Sequence, residues 1–145
     1  MRVAVLLLLA GLAACGENPE DVRADYCEEV ADQQVELTEE MAAEGPDTLL
    51  RARPLLRELA DDAPRDIRDE WDRLLDALDG LAEALEAAGV DASTYDARRP
   101  PEGVTEEQQQ DIARAADELA TPETVAAWEG VKQHAKDVCK TPLFQ

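Results

Sequence analysis

The chain has 145 residues, and its 34 acidic side chains against 14 basic ones give a formal net charge of −20 at pH 7. Such a polyanion is repelled by the phosphates of nucleic acids and by anionic lipid headgroups, which argues against nucleic-acid binding and against adsorption to a membrane by charge alone. Only 3% of the residues are aromatic. A core built mainly from Leu, Val and Ala is therefore expected, which is typical of packed helices in a single domain.

A short apolar segment lies near the start of the chain and runs from Val3 to Ala13, after Arg2. A membrane-spanning helix needs about 20 apolar residues, so a run of this length is typical of the hydrophobic part of a signal peptide. The four residues that end the segment, Leu12-Ala13-Ala14-Cys15, resemble the lipobox of bacterial lipoproteins. The resemblance implies cleavage before Cys15 and attachment of a diacylglyceryl group to its thiol.

We therefore expect a lipoprotein signal peptide over residues 1–14, a lipidated N-terminus and tether over residues 15–18, and a single helical domain over residues 19–145. Two alternatives remain open for the apolar segment: an ordinary secretory signal that happens to contain Cys15, or a buried first helix. The abrupt change to Gly16-Glu17-Asn18-Pro19 favours the lipidated form. Diacylation supplies two or more chains, which suffice for stable anchoring where one chain is marginal.

Two helices are predicted in the first half of the remaining chain. Asn18 is expected to cap the first, with Pro19 at its first position, and Gly45-Pro46 is expected to end it. Its apolar residues recur at helical spacing: Val22, Tyr26, Val30, Leu37 and Met41. Asp47 is expected to cap the second helix, in which Pro54 either introduces a kink or marks the start of the regular part. One face of this second helix is apolar, with Leu49, Leu56 and Leu59.

The strongest apolar stripe in the chain predicts a third helix that ends at Gly89. Its members are Ile67, Trp71, Leu74, Leu75, Leu78, Leu81 and Leu85. The interior Gly80 is expected to destabilise this helix by about 1 kcal/mol relative to Ala, unless it allows close packing. The next stretch, residues 90–104, has no helical or strand periodicity, and its Asp, Ser, Pro and Gly content predicts an ordered loop.

Two further helices are predicted after this loop. Thr105 and Gln108 form a capping box that opens the fourth helix, whose buried residues are expected to be Ile112, Ala116 and Leu119. Thr121 with Pro122 opens the fifth by the same logic. One face of the fifth helix carries Val125, Trp128, Val131, Ala135 and Val138. Residues 141–145 are expected to be no more than a short tail.

The three cysteines lie at positions 15, 27 and 139. An odd number in an exported protein leaves one thiol unexplained, and lipidation of Cys15 leaves an even pair. In the oxidising space outside the cytoplasmic membrane, Cys27 and Cys139 are then expected to form a disulfide. The alternatives are two free buried thiols or a metal pair. With one His in the chain and no Cys-x-x-Cys, however, a zinc site lacks ligands at the usual spacing.

The expected fold is an all-α bundle of about five helical segments with one long crossover loop. Simple up-and-down alternation would place Cys139 far from Cys27, because an odd number of helices ends at the opposite end of the bundle. The loop over residues 90–104 is long enough to return along the side of the bundle. The fourth helix would then rise and the fifth descend, as a hairpin against the first three, and the two cysteines would meet.

The residue patterns of known catalytic and cofactor sites are missing from the sequence. The only His, His134, is expected to be solvated or to cap the end of the last helix. The only Ser, Ser93, lies in the loop rather than in a nucleophile elbow. The acids around Asp76, Asp79 and Gly80 do not have the spacing of a calcium loop. We therefore expect no enzymatic activity, no cofactor and no metal site.

The loop contains the one unusual surface segment, in which Tyr95 is followed by the adjacent pair Arg98 and Arg99 and by two prolines. Loops displayed on a rigid scaffold often carry recognition, so Tyr95, Arg98 and Arg99 are candidate ligand-binding residues. The alternative is that the arginine pair forms salt bridges to the acidic helices and clamps the loop.

Further residues carry a wider resemblance. They are Asp25-Tyr26-Cys27 near the start of the mature chain and Asp137-Val138-Cys139 near its end. Together with the lipobox and the Ala/Asp/Glu/Arg-rich helices, these motifs look like the small helical lipoproteins of actinobacteria. The resemblance implies an envelope location and a helical fold, and it implies no activity.

The expected function is therefore that of a lipid-anchored binding domain on the extracytoplasmic face of the cell membrane. Its negative charge attracts cationic partners, such as a basic envelope protein or peptide, or divalent cations. The acids alternatively serve only to keep the helix surfaces solvated. Two other functions stay open: an envelope enzyme of unknown reaction, and a structural accessory subunit of a membrane complex.

Overall fold

The structure is a computed structural model that describes residues 18–145. This part of the chain forms five α-helices: α1 Pro19–Ala42, α2 Thr48–Asp61, α3 Arg68–Ala87, α4 Glu106–Leu119 and α5 Pro122–Val138. The predicted all-α bundle is confirmed. The expected signal peptide, the lipobox and Cys15 lie outside the described residues.

Three of the predicted helix starts are confirmed by hydrogen bonds to the capping side chains. At the start of α5, the Thr121 hydroxyl accepts from the Thr124 N–H at 3.3 Å. The Asn18 Oδ1 atom accepts from the Glu20 N–H at 3.2 Å. Thr105 and Gln108 form the reciprocal capping box at the start of α4. Asp47 precedes α2 but forms no side-chain cap. Its carboxylate instead pairs with Arg51 at 2.5 Å, so the expectation that Asp47 caps α2 is wrong.

The core lies where α1, α2, α3 and α5 meet, and most of the predicted apolar stripes reach it. Its buried residues include Tyr26, Val30, Leu37, Leu56, Leu59, Trp71, Leu74, Leu78, Val131 and Ala135. Two members of the predicted stripe of α5 do not reach the core: Val125 is 47% exposed and Val138 is 37% exposed. They lie at the start and the end of α5, where the neighbouring helices do not cover its surface.

The last five residues are more than the short tail that their sequence suggests. Leu143 is 2% exposed and belongs to the core, and the ring of Phe144 stacks on Trp128 with the centroids 5.8 Å apart. The Gln34 side chain donates to the Pro142 carbonyl at 2.6 Å. The segment therefore fastens the end of the chain along α1.

The helices α4 and α5 both run antiparallel to α3. The Gln108 side chain donates to the Ala87 carbonyl at 3.0 Å, which places the start of α4 beside the end of α3. Further along, Arg73 pairs with Glu118 at 3.5 Å. For α5, Gly130 lies against Glu70, and the later His134 lies near the earlier Asp66, with Nε2 and the carboxylate oxygen 3.5 Å apart. The two helices thus follow each other along α3 and contact each other little.

This arrangement differs from the hairpin expected for the fourth and fifth helices. The loop does not return along the bundle, because turns fold it locally: the N–H of Tyr95 donates to the Asp91 carbonyl at 2.9 Å, and the N–H of Arg99 to the Asp96 carbonyl at 2.9 Å. The cysteines meet nevertheless. Helices α4 and α5 run one after the other in the direction opposite to α3, and this brings the end of α5 back to the end of the bundle where α1 begins. Cys27 and Cys139 lie at disulfide-bonding distance, with their Cα atoms 5.0 Å apart.

Gly80 does not serve close packing, since a Cβ atom built on it has nothing within 4 Å. We expect Gly80→Ala to raise the free energy of unfolding by about 0.5–1 kcal/mol, because Ala restricts the unfolded chain and favours the helix. Urea unfolding of residues 16–145 measures the change. Gly89→Ala is the contrasting control: its φ of +66° disfavours a side chain, so this variant should lose stability. A destabilised Gly80→Ala variant would contradict the prediction.

Candidate functional site

The predicted recognition loop closes an apolar cleft at the end of the bundle that is remote from the start of α1. The cleft has a volume of about 210 Å³. Its walls come from α2, α3, α4 and the loop, and include Leu50, Leu81, Leu85, Ala97, Ile112 and Ala116. Tyr95 lies at its edge, half-buried. The loop and the helices thus form one site that contains the first of the three predicted ligand-binding residues.

The other two predicted residues, Arg98 and Arg99, follow Ala97 and are exposed. Neither guanidinium forms an ion pair within residues 18–145, so the alternative of a salt-bridged clamp is not observed there. Two of the three acids of the loop, Asp91 and Asp96, accept hydrogen bonds from groups within the loop. Hydrogen bonds from the hydroxyl and the N–H of Ser93 lower the pKa of the Asp91 carboxyl below its ordinary value.

A second concave surface follows the seam between α3 and α4, on the other side of α4 from the apolar cleft. It consists of two adjoining cavities of about 480 and 490 Å³, which share Asp76, Ala77 and Glu118. We call their combined surface the acidic groove. Its floor is formed by small residues: Ala77, Gly80, Ala84 and Ala115. Because these side chains are short, the groove stays open along the seam.

The walls of the acidic groove carry more negative than positive charge. Its two arginines are already paired, Arg73 with Glu118 at 3.5 Å and Arg114 with Asp111 at 2.9 Å. Four further acids of α3 face it: Asp69, Asp72, Asp76 and Glu83. In the described part of the chain none of these four forms an ion pair. Sequence reasoning missed this site because acids are so frequent that their helical spacing carries little information.

The expected exposure of His134 is wrong. Its side chain is only 8% exposed and lies against the ring of Tyr26, with the centroids 5.7 Å apart. Within the described residues its nitrogens form no hydrogen bond, and the nearest carboxylate oxygen, on Asp66, is 3.5 Å from Nε2. His134 follows Val131 by three residues, so it faces the same side of α5 as that core residue.

Tyr26 and Trp71 form the polar contact at the centre of the bundle. The indole N–H of Trp71 donates to the Tyr26 hydroxyl at 3.2 Å, and burial raises the pKa of that hydroxyl to about 12. The hydroxyl is therefore neutral under ordinary conditions. The predicted place of Trp71 in the core is confirmed. Trp128 is half-buried and packs against the core.

Within residues 18–145, no group of three or more His, Cys, Asp or Glu side chains is placed to hold a metal ion. No helix in this part of the chain has the length and apolar character needed to cross a membrane.

The candidate surfaces are therefore the apolar cleft and the acidic groove. Both are concave, and they differ in the charge of the side chains around them. Comparisons of the whole chain with protein-family models, with curated proteins and with solved structures find no match.

Proposed function

We propose that this protein is a lipid-anchored binding domain on the extracytoplasmic face of the cell membrane, and that its acidic groove binds a basic segment of an envelope protein or peptide. The observation that carries the proposal is the groove itself. Four acids of α3 that form no ion pair within residues 18–145 lie along the open seam between α3 and α4. The lipobox supports the location, because it is followed directly by an acidic helical domain.

The start of α1 supports the anchored arrangement. Residues 18–25 are exposed or half-buried, and Tyr26 is the first buried side chain. The helix therefore projects beyond the bundle by about two turns, or roughly 12 Å at 1.5 Å per residue. A lipid on Cys15 would hold this projection at the membrane surface, and the bundle would stand clear of the anionic headgroups that repel it.

The shape and charge of the groove support a peptide partner. Its two cavities extend along α3 from Asp69 to Glu83, about 21 Å at the rise of a helix. An extended or helical segment with several Lys or Arg side chains would meet acids along this whole length. Complementary charge of this kind favours fast association and selects against acidic competitors.

The anchor is tested by Cys15→Ala. We expect the variant to leave the membrane fraction and to be recovered in the soluble extracytoplasmic fraction, because the thiol that would carry the lipid is absent. Metabolic labelling with a fatty acid should mark the wild-type protein and not the variant. A wild-type protein without label would refute the lipid anchor.

The groove is tested by neutralising three of its acids, in Asp72→Asn/Asp76→Asn/Glu83→Gln. The probe is a synthetic peptide of alternating Lys and Ala, whose binding to residues 16–145 is measured by calorimetry at low and at physiological salt. We expect the affinity to fall about tenfold, since each exposed charge contributes up to about 0.5–1 kcal/mol.

A matched variant neutralises three exposed acids of α1 instead, Asp25→Asn/Asp32→Asn/Glu36→Gln. The change in net charge and in residue types is the same in both variants. If the peptide responds equally to both, its binding depends on total charge and the groove has no special role. A loss confined to the α3 variant supports the proposal.

A further inference from the structure

We propose that the apolar cleft beneath Tyr95 is a second, separate binding site, which takes a small carboxylate carrying a short apolar chain. The chain would fill the cleft, and the carboxylate would bind Arg98, Arg99 and the Tyr95 hydroxyl. The site is independent of the basic partner proposed above, because the cleft and the acidic groove use different faces of α4.

The size and lining of the cleft determine the apolar part of the ligand. Leu50, Leu81, Leu85 and Ile112 come together there from three helices. The volume of about 210 Å³ corresponds to roughly seven liquid water molecules of about 30 Å³ each. A methylene group has a similar size, so a chain of about six to eight carbons or one aromatic ring fits. Drug-sized ligands need about 300 Å³ or more and are too large.

The loop determines the anionic part of the ligand. Two of its three acids are engaged by the loop itself: Asp91 accepts from the N–H of Ser93 at 2.8 Å, and Asp96 accepts from the N–H of Arg98 at 2.9 Å. Its two guanidiniums form no ion pair within residues 18–145. Arg98 and Arg99 directly follow Ala97, which lines the cleft, and a guanidinium suits a carboxylate because it can donate two parallel hydrogen bonds to it.

Two polar side chains line the cleft, Gln109 and Tyr95, and they differ in whether they are already hydrogen-bonded. Gln109 lines the cleft, but its amide donates to the Val104 carbonyl at 3.1 Å. The Tyr95 hydroxyl forms no hydrogen bond to another described residue. It is therefore a donor at the cleft that no described side chain or backbone group uses.

The two concave surfaces lie on opposite sides of α4. Gln109, Ile112, Ala113 and Ala116 line the apolar cleft, whereas Asp111, Arg114, Ala115 and Glu118 line the acidic groove. Filling one surface with a large side chain leaves the other open. Matched variants at neighbouring positions of the same helix can therefore separate the two sites.

The test is a titration of octanoate into isotope-labelled residues 16–145, followed by NMR. We expect saturable shifts of the backbone amides of Tyr95 and Gln109. Ala116→Trp fills the cleft and should weaken binding at least tenfold, and Ala113→Leu, a smaller change, should weaken it in the same direction. Ala115→Trp fills the acidic groove and should leave octanoate binding unchanged.

Octylamine is the matched probe, with the same chain and the opposite charge. We expect wild-type protein to prefer octanoate to octylamine, and Arg98→Gln/Arg99→Gln to lose about tenfold in octanoate affinity together with that preference. Shifts that do not saturate, equal binding of both probes by the wild type, or equal weakening by Ala115→Trp and Ala116→Trp would overturn the proposal. None of these outcomes depends on the basic peptide or on the lipid anchor.

Discussion

Replacing Cys139 with Ala is expected to lower the free energy of unfolding by about 4–5 kcal/mol, the value that the chain-entropy relation assigns to a loop of about 100 residues. The two cysteines are 112 residues apart in sequence, and this span contains most of α1 and all of α2, α3, α4 and α5. Without the covalent link, the unfolded chain regains the freedom that the closed loop denies it. Urea unfolding of residues 16–145 gives the difference directly.

The double variant Cys27→Ala/Cys139→Ala is the matched control. It should be about as unstable as the single variant, because a lone thiol at Cys27 adds little once the link is lost. Reducing agent should destabilise the wild-type protein and leave both variants unchanged. A loss below about 1 kcal/mol, or two thiols that react with an alkylating agent in the native protein, would show that the bridge is not formed.

Replacing Trp71 with Ala is expected to cost about 3–5 kcal/mol, which is the range for truncation of a large buried aromatic side chain. Trp71 is fully buried, and its indole N–H donates to the Tyr26 hydroxyl at 3.2 Å. The variant leaves a cavity between α1, α3 and α5 and removes the hydrogen-bond donor to Tyr26. Urea unfolding, with far-ultraviolet circular dichroism to confirm the helical content, measures the loss.

Two smaller changes separate packing from hydrogen bonding at this site. Trp71→Phe keeps much of the ring and removes the donor, and Tyr26→Phe removes the partner hydroxyl and keeps its ring. Each should cost less than Trp71→Ala, and the double variant Trp71→Phe/Tyr26→Phe should cost less than the sum of the two, because the first change already breaks the shared bond. A Trp71→Ala variant as stable as the wild type would refute the assigned core.

The sequence predicts the helices well because their signals are local. The side chains of Asn18, Thr105 and Thr121 start helices by accepting from the N–H of a residue two or three positions further on, and Pro19 and Pro122 suit the first position of a helix. The apolar stripe around Trp71 likewise marks one face by spacing alone. These features hold whatever the rest of the chain does, and the structure contains all of them.

Features that depend on contacts between distant residues could not be predicted. The last five residues have no periodicity, yet Leu143 enters the core and Phe144 stacks on Trp128. The path of the loop depends on turns at Asp91 and Asp96, which shorten a segment long enough to cross the bundle. The acidic groove depends on Gly80 and its small neighbours lying opposite Ala115, a match that only the packed helices create.

The projecting start of α1 has a mechanical consequence when the bridge is closed. Cys27 lies close to the point where α1 enters the bundle, and Cys139 ends the last helix. A pull between the tether at Asn18 and the terminal Gln145 passes from α1 through the sulfur atoms into the tail. The chain between the cysteines then carries none of this load, and the first contacts to yield would be those of the last five residues, among them Leu143 in the core.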